Sequence, residues 1–228
     1  QIPEDEPAWK MYKDKPWPHD ARVAAAMDTM MDRHVGEITA LLKKLGIYQN
    51  TLMFFTSDNG AAKRFDGIHN SSGLMQGKKR SLNEGGIRVP MVVRWPGKIK
   101  AGRVSSHPWY FPDVMPTFAE IGGVSTEVPE DIDGISILPT LLDKGVQNQH
   151  EYMFWQYGVR AVRSGKWKGI GKGGHLYLYD LSEDIEEKND LSSKHPEIAA
   201  RMKKYITIGY REPRSQKDDG KYTGKDKK

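Results

Sequence analysis

From Val23 the apolar positions Val23, Met27, Met30, Met31, Val35, Ile38, Leu41, Leu42 and Leu45 recur at three- and four-residue steps. That is the period of an amphipathic helix, with Asp20 as its N-cap and Gly46 as its stop. The methionine-rich stripe reads as core packing. Leu52 to Thr56 is a short apolar run rich in Phe, and it reads as a buried strand. Helix followed directly by strand is the αβ half of a βαβ unit. Residues 61–86 are polar and glycine-rich and predict a long loop. A strand follows over Val89–Trp95, then a short helix over Val114–Ile121 capped by Asp113 and closed by Gly122-Gly123. Leu138–Leu142 begins another short helix or turn. Four strand-like runs, Tyr152–Tyr157, Val159–Arg163, Lys166–Ile170 and Leu176–Leu181, are separated by turn signals and predict a small antiparallel sheet. A last helix runs from about Pro196 to Ile206, with Pro196 in its first turn. Residues 1–19, rich in Pro and polar groups, are expected to lie extended over a surface.

This pattern divides the chain at a composition shift near 145–150. The expected units are 1–148, the larger α/β part, 149–210, a small α+β subdomain, and 211–228, a disordered basic tail. The chain of 228 residues can bury a sizeable core, and 37% of it is hydrophobic. No apolar run reaches the ~18 residues of a membrane span. Without a Cys there is no disulfide, no thiolate metal site and no cysteine nucleophile. The net charge of +5 owes much to the tail, which holds seven basic and four acidic residues, and no nucleic-acid motif accompanies it. With Gln at position 1 and no secretory signal, the chain reads as a mature, trimmed or excised product.

Candidate chemistry begins where the first strand stops, at Ser57-Asp58-Asn59-Gly60. Open α/β sheets bind ligands beyond the carboxyl ends of their strands. Asp58 and Asn59 would offer hard oxygen ligands to a divalent cation there. An ordinary Asp-Asn-Gly turn is the plainer reading of those residues alone. In the loop that follows, Gly77-Lys78-Lys79-Arg80-Ser81 combines backbone freedom with positive charge and can hold an anion, though a solvated basic loop would look the same. His69, His107 and His175 are candidates for substrate contact, each against a structural or surface role. Trp109, Trp155 and Tyr157 are candidates for stacking on a sugar, against core or interface packing.

Taken together, the residues resemble the formylglycine-dependent sulfatases of the alkaline-phosphatase-like superfamily. The resemblance is carried by Met31-Asp-Arg-His-Val-Gly36, by Thr51 to Gly60, and by Gly77 to Pro90 with its Glu84-Gly-Gly-Ile-Arg-Val-Pro. Trp95-Pro-Gly97, Asp113-Val-Met-Pro-Thr117, Asp133-Gly-Ile-Ser136, Ala161-Val-Arg163, Lys166-Trp-Lys168 and Leu178-Tyr-Asp-Leu181 follow in family order. It implies the second half of a doubly wound alkaline-phosphatase-like sheet with a small α+β C-terminal subdomain. It implies Asp58 and Asn59 as ligands of Ca²⁺, with Mg²⁺ the alternative. It implies Lys79 as the lysine that contacts the sulfate group, or Lys78 if the register is off by one. His69, in the loop between Asp58-Asn59 and Lys79, is read first as a loop-stabilising or solvent histidine and second as a substrate contact. Glu84 and Arg88 are expected to hold the loop together. The implied partner is a sulfated carbohydrate or aryl sulfate, and the implied location is periplasmic or secreted.

The family's nucleophile is a formylglycine made from Cys or Ser within C/S-x-P-x-R, and no Ser stands in that pattern here. The only Asp-Asp, Asp218-Asp219, lies in the tail, so the family's first metal-binding pair is also absent. The chain therefore looks like the C-terminal portion of a sulfatase, inactive alone and in need of an N-terminal half that carries the formylglycine. A phosphonate or phosphate ester hydrolase of the same superfamily is one alternative, and a non-catalytic binding protein is another.

Overall fold

A computed structural model describes residues 2–62, 67–129 and 131–211. They form two compact units, each mixed in secondary structure. One comprises Gln1–Gly73 with Arg88–Val104, the other Leu74–Ile87 with Ser105 onward. Compactness and chain order part here: residues 74–87 and 105–148 group with the small sheet rather than with the first helix and strand. The expected tail beyond Arg211 lies outside the described residues.

The first unit opens with a helix where an extended segment was expected. Helix α1 (Pro7–Tyr12) has Pro in its first turn, and the Glu6 carboxylate accepts the Ala8 N–H at 3.2 Å. Glu6 also pairs with Arg33 at 2.8 Å, tying α1 to α2 (His19–Lys44). Asp20 is not the cap of α2. Pro18 takes that place without a side-chain hydrogen bond, and Asp20 sits in the first turn, where its charge favours the helix dipole. The apolar stripe of α2 is core only at its start, Met30, Val35 and Leu42 being half-buried. Ala21, Val23 and Ala26 are buried, but Ile38 and Leu41 are each 53% exposed and Leu45 59%. The period was right and the burial was not, because no described residue covers that face.

Strands β1 (Met53–Thr56) and β2 (Met91–Arg94) pair antiparallel, with Phe54 opposite Val93 and Phe55 opposite Val92. β1 is half-buried along its whole length rather than buried.

The second unit is built on a four-stranded antiparallel meander. Its strands are β3 (Met153–Tyr157), β4 (Val159–Ser164), β5 (Trp167–Lys172) and β6 (His175–Asp180), in that order. Gly173 and Gly174, at φ 59° and 81°, close the β5–β6 hairpin between Lys172 and His175. Two positive φ values in a two-residue loop are the I′ geometry that matches strand twist. One sheet face packs against helix α6 (Pro196–Ile208) through Val162, Leu176, Leu178, Ala199, Met202 and Tyr205. Burying a side chain such as Met202 or Leu178 contributes about 1.5–3 kcal/mol. The other face, with Ala161, Ile170, Tyr179 and Leu181, is covered by Leu82 and Ile87. Those two residues flank or end the one-turn helix α3 (Glu84–Ile87). So the loop expected to carry chemistry is one wall of this core. Helices α4 (Val114–Gly122) and α5 (Leu138–Leu142) complete the unit.

Candidate functional site

In the first unit, β1 runs out into Ser57–Gly60. Ser57 Oγ donates to the Asn59 carbonyl at 3.0 Å, and Asn59 Nδ2 donates to the Gly60 carbonyl at 3.1 Å. The turn thus ties up the amide nitrogen of Asn59 and leaves Oδ1 without a hydrogen bond among the described residues. Asp58 is exposed, and its carboxylate has no partner there either. These are the donor atoms a hard cation takes. They are too few by themselves, since Ca²⁺ takes about six to eight oxygens. Among the described residues no group of three or more His, Cys, Asp or Glu side chains could hold a metal. The pair offers part of the donor set a divalent cation takes.

His69, in the same unit, lies in a short 3₁₀ turn (Gly67–His69). Its Nε2 donates to the Ala21 carbonyl at 2.8 Å, and its ring meets Trp17 edge-on at 5.4 Å. One ring nitrogen is therefore committed to the backbone of α2, which is the placement of a loop-stabilising histidine.

Lys79 belongs to the second unit. Ser81 N–H donates to the Lys78 carbonyl at 2.8 Å, closing a turn whose third residue, Arg80, has φ +76°. That is type II geometry, in which Gly or Asn ordinarily takes the third place. The turn is held from several sides. Ser81 Oγ donates to Asn83 Oδ1 at 3.0 Å and accepts the Asn83 N–H at 3.1 Å. Gly85 N–H donates to the Gln76 carbonyl at 2.7 Å. Gly86 lies against the turn itself: a Cβ there would stand 2.1 Å from the Ser81 carbonyl oxygen and 2.6 Å from that of Lys78. Only glycine permits such an approach. Lys79 and Arg80 are both exposed, with no hydrogen bond or ion pair among the described residues. Lys78 is half-buried and engaged.

Beneath the turn is a buried ion network that pattern reading missed. Lys168 is fully buried, its Nζ 2.7 Å from Glu84 Oε1 and 3.1 Å from Glu187 Oε1. Glu187 Oε2 accepts the Glu84 N–H at 2.7 Å, and Arg163 lies 3.9 Å from Glu84 Oε2. Burial pushes the Glu187 carboxyl above the usual range, while the Lys168 charge and the Glu84 N–H pull it back. Glu84 therefore anchors the loop, as expected of it. Arg88, exposed and engaged, falls in the other unit. A trace of the network was present in the alternation of β5: Lys168 shares a face with Ile170 and so stands at an inward position. Glu187 left no such trace.

The remaining candidates have structural surroundings. His175 Nε2 lies 2.8 Å from Asp190 Oδ2, and its ring packs edge-on against Tyr177. His107 is half-buried, with Nδ1 3.4 Å from Gln149 Nε2. Burial lowers its pKa, opposed by the Asp113 carboxylate and aided by His150. Trp109 sits 6.0 Å from Phe111, and Trp155 packs on Tyr110 and the sheet. Tyr157 is exposed. Asp113 stands at the N-cap position of α4, but its side chain makes no cap hydrogen bond to that helix. Fully buried, it accepts from Tyr110 N, Ile135 N and His150 Nε2 at 3.0, 2.9 and 2.8 Å. A cavity of about 180 Å³ is lined by Tyr110, Asp133, Glu151, Tyr152, Phe154 and Gly209, and none of the residues singled out for the metal or sulfate lines it.

The family model described as "Sulfatase" matches residues 4–124, and that described as "N-sulphoglucosamine sulphohydrolase, C-terminal" matches residues 75–209. The chain is 40% identical over 153 residues to the steryl-sulfatase of Mus musculus, covering 61% of this chain and 24% of that protein. It is 32% identical over 207 residues to the N-acetylgalactosamine-6-O-sulfatase of Bacteroides thetaiotaomicron, covering 77% and 39%. The solved structure of Ps i-CgsB in complex with k-i-k-neocarrahexaose superposes with a TM-score of 0.73 at 29% identity, over 89% of this chain and 45% of that one. The chain thus spans less than half the length of each of these relatives.

Proposed function

Because this chain belongs to the sulfatase family and shares its α/β fold, we propose that it is the C-terminal portion of a metal-dependent sulfuric ester hydrolase acting on a sulfated carbohydrate or aryl sulfate. The observation that carries this is Lys79. Its ammonium is exposed and unneutralised among the described residues, on a turn that two buried glycines and an ion network hold in place. Transfer of a sulfuryl group places negative charge on non-bridging oxygens. A fixed positive charge stabilises that charge where it builds up, without reorganising as the reaction proceeds. Lysine is a compact point charge and suits a pocket crowded with oxygens.

In this reading Asp58 and Asn59 hold a divalent cation, Ca²⁺ or alternatively Mg²⁺, through Asp58 carboxylate oxygens and Asn59 Oδ1. When bound, the cation would supply Lewis-acid stabilisation to the oxygens of a sulfate ester. Asn59 is positioned for this by its own amide nitrogen, which the Gly60 carbonyl holds. No residue of this chain fits the nucleophile, because it has no Cys and no Ser in the C/S-x-P-x-R pattern. The chain alone is therefore inactive, and the N-terminal half that completes the site supplies the formylglycine and the remaining metal ligands. The relatives' carbohydrate substrates and ligands support a sulfated sugar as substrate. A periplasmic or secreted location is consistent with that substrate. No helix among the described residues is long and apolar enough to cross a membrane.

The test compares purified 1–228 with the intact protein on 4-nitrocatechol sulfate, before and after chelation. The intact protein is expected to turn over, to lose activity to chelator and to regain it with Ca²⁺. Lys79→Ala is expected to lower kcat/KM about 10²–10³-fold. Hydrolysis by 1–228 alone would sink the claim of inactivity. An intact protein that cleaves phosphate esters but not sulfate esters would sink the sulfatase reading.

A further inference from the structure

We propose that Arg80 is a specificity-determining residue that binds a second anionic group of the substrate, a sulfate or carboxylate, beside the sulfate held by Lys79. The inference rests on the assignment of Lys79 above.

Arg80 occupies a place made for glycine. At φ +76° a Cβ is strained, and the third position of a type II turn ordinarily carries Gly or Asn. Among the described residues eleven glycines take positive φ, Gly77 at +80° and Gly165 at +57° included. Among the described residues only four non-glycines have positive φ: Asn70, Arg80, Asp143 and Glu187. Asn and Asp are the side chains that tolerate this region. Of the two longer ones, Glu187 has an evident use, since its carboxylate faces Lys168 and accepts the Glu84 N–H. Arg80 is the other, and its guanidinium meets no partner among the described residues. A strained residue held by its surroundings marks a functional position when the strain is observed first.

The surroundings also fix the backbone that carries the guanidinium. The turn cannot relax, because the Gly86 backbone lies against its carbonyls and Ser81 is locked to Asn83. Arginine presents a planar fork of donors that engages carboxylate and sulfate oxygens two at a time. Lys79 and Arg80 are consecutive, with Cα atoms about 3.8 Å apart, so two long cationic side chains leave one turn. The nearest carboxylate in sequence, Glu84, is buried against Lys168 and does not neutralise the pair.

The experiment measures kcat/KM of the intact protein and its Arg80→Gly, Arg80→Ala and Arg80→Lys variants on a disulfated and a monosulfated form of one disaccharide. Glycine suits the backbone, so Arg80→Gly is expected to fold with an unchanged or higher Tm. The ratio of the two kcat/KM values is expected to fall about tenfold in the Gly and Ala variants and to recover partly with Lys. An unchanged ratio overturns the proposal. If the wild type hydrolyses neither sugar, the hydrolase reading falls, and calorimetric binding of the disulfated disaccharide decides on Arg80 alone. A tenfold weaker affinity of Arg80→Gly then supports the proposal. Equal affinity, or no binding by the wild type, overturns it.

Discussion

Lys168 and Lys79 belong to one compact unit and have opposite electrostatics. Lys168 has given up water and is compensated by Glu84 and Glu187. Removing a partner from a buried ion group strands the others without solvent. Lys168→Met is therefore expected to destabilise the fold by about 3–5 kcal/mol, read as a lower urea midpoint. The sign with pH follows from Glu187, whose pKa burial already raises. A carboxyl raised in the folded state contributes stability below its unfolded pKa and loses it as pH rises through the folded value. The variant should thus be less impaired at pH 5 than at pH 8, and an equal deficit at both would count against the network. Asp190 behaves oppositely. Burial opposes its ionisation, but hydrogen bonds from His175, Leu178 N–H and Ser192 hold its pKa at about 2. A depressed carboxyl contributes stability above its unfolded pKa, and that is lost between about pH 4 and 2. Asp190→Asn should lower the Tm at pH 7 and flatten the acid limb in that window. An acid limb as steep as the wild type's would refute the assignment.

At the scale of elements, the segment 74–87 is as much a part of the small sheet's core as α6 is. α6 covers one face through Ala199, Met202 and Tyr205, and Leu82 and Ile87 cover the other. This links the fold to the candidate chemistry, because the turn bearing Lys79 is fixed only as well as that packing holds. Gly86→Ala puts a methyl group into two backbone carbonyls that cannot step aside. It is expected to cost about 1–3 kcal/mol by overpacking and to lower kcat/KM of the intact protein by displacing Lys79. Thermal melts beside the arylsulfate assay test this, and a wild-type Tm with wild-type turnover would show that the close approach does not hold the turn.

For the whole molecule, the exposed stripe of α2 is the largest departure from what the pattern implied. Ile38, Leu41 and Leu45 keep a helical period and stay in water. The chain spans 24% and 39% of two relatives' lengths, and no described residue covers this face. Purified 1–228 is expected to bind a hydrophobic dye and to self-associate, and Ile38→Ser with Leu41→Ser and Leu45→Ser should remove both properties. The same substitutions in the intact protein should lower its Tm. A monomeric, dye-silent 1–228 would contradict this account.

The sequence by itself determined what is local. Apolar period placed α2 and α6, cap and stop signals placed α4, and short runs between turn signals placed the four strands of the meander. The order of short motifs indicated the family. These are decided by backbone preferences and by neighbours a few residues away. Only the tertiary structure decided which faces are buried, that β1 and β2 run antiparallel, that residues 7–12 form a helix, and that Arg80 holds a positive φ. It alone brought Glu84, Lys168 and Glu187 together across more than 80 residues of chain. Such pairings draw their energy from the exclusion of water, which exists only once distant segments have met, so no pattern within one segment can announce them.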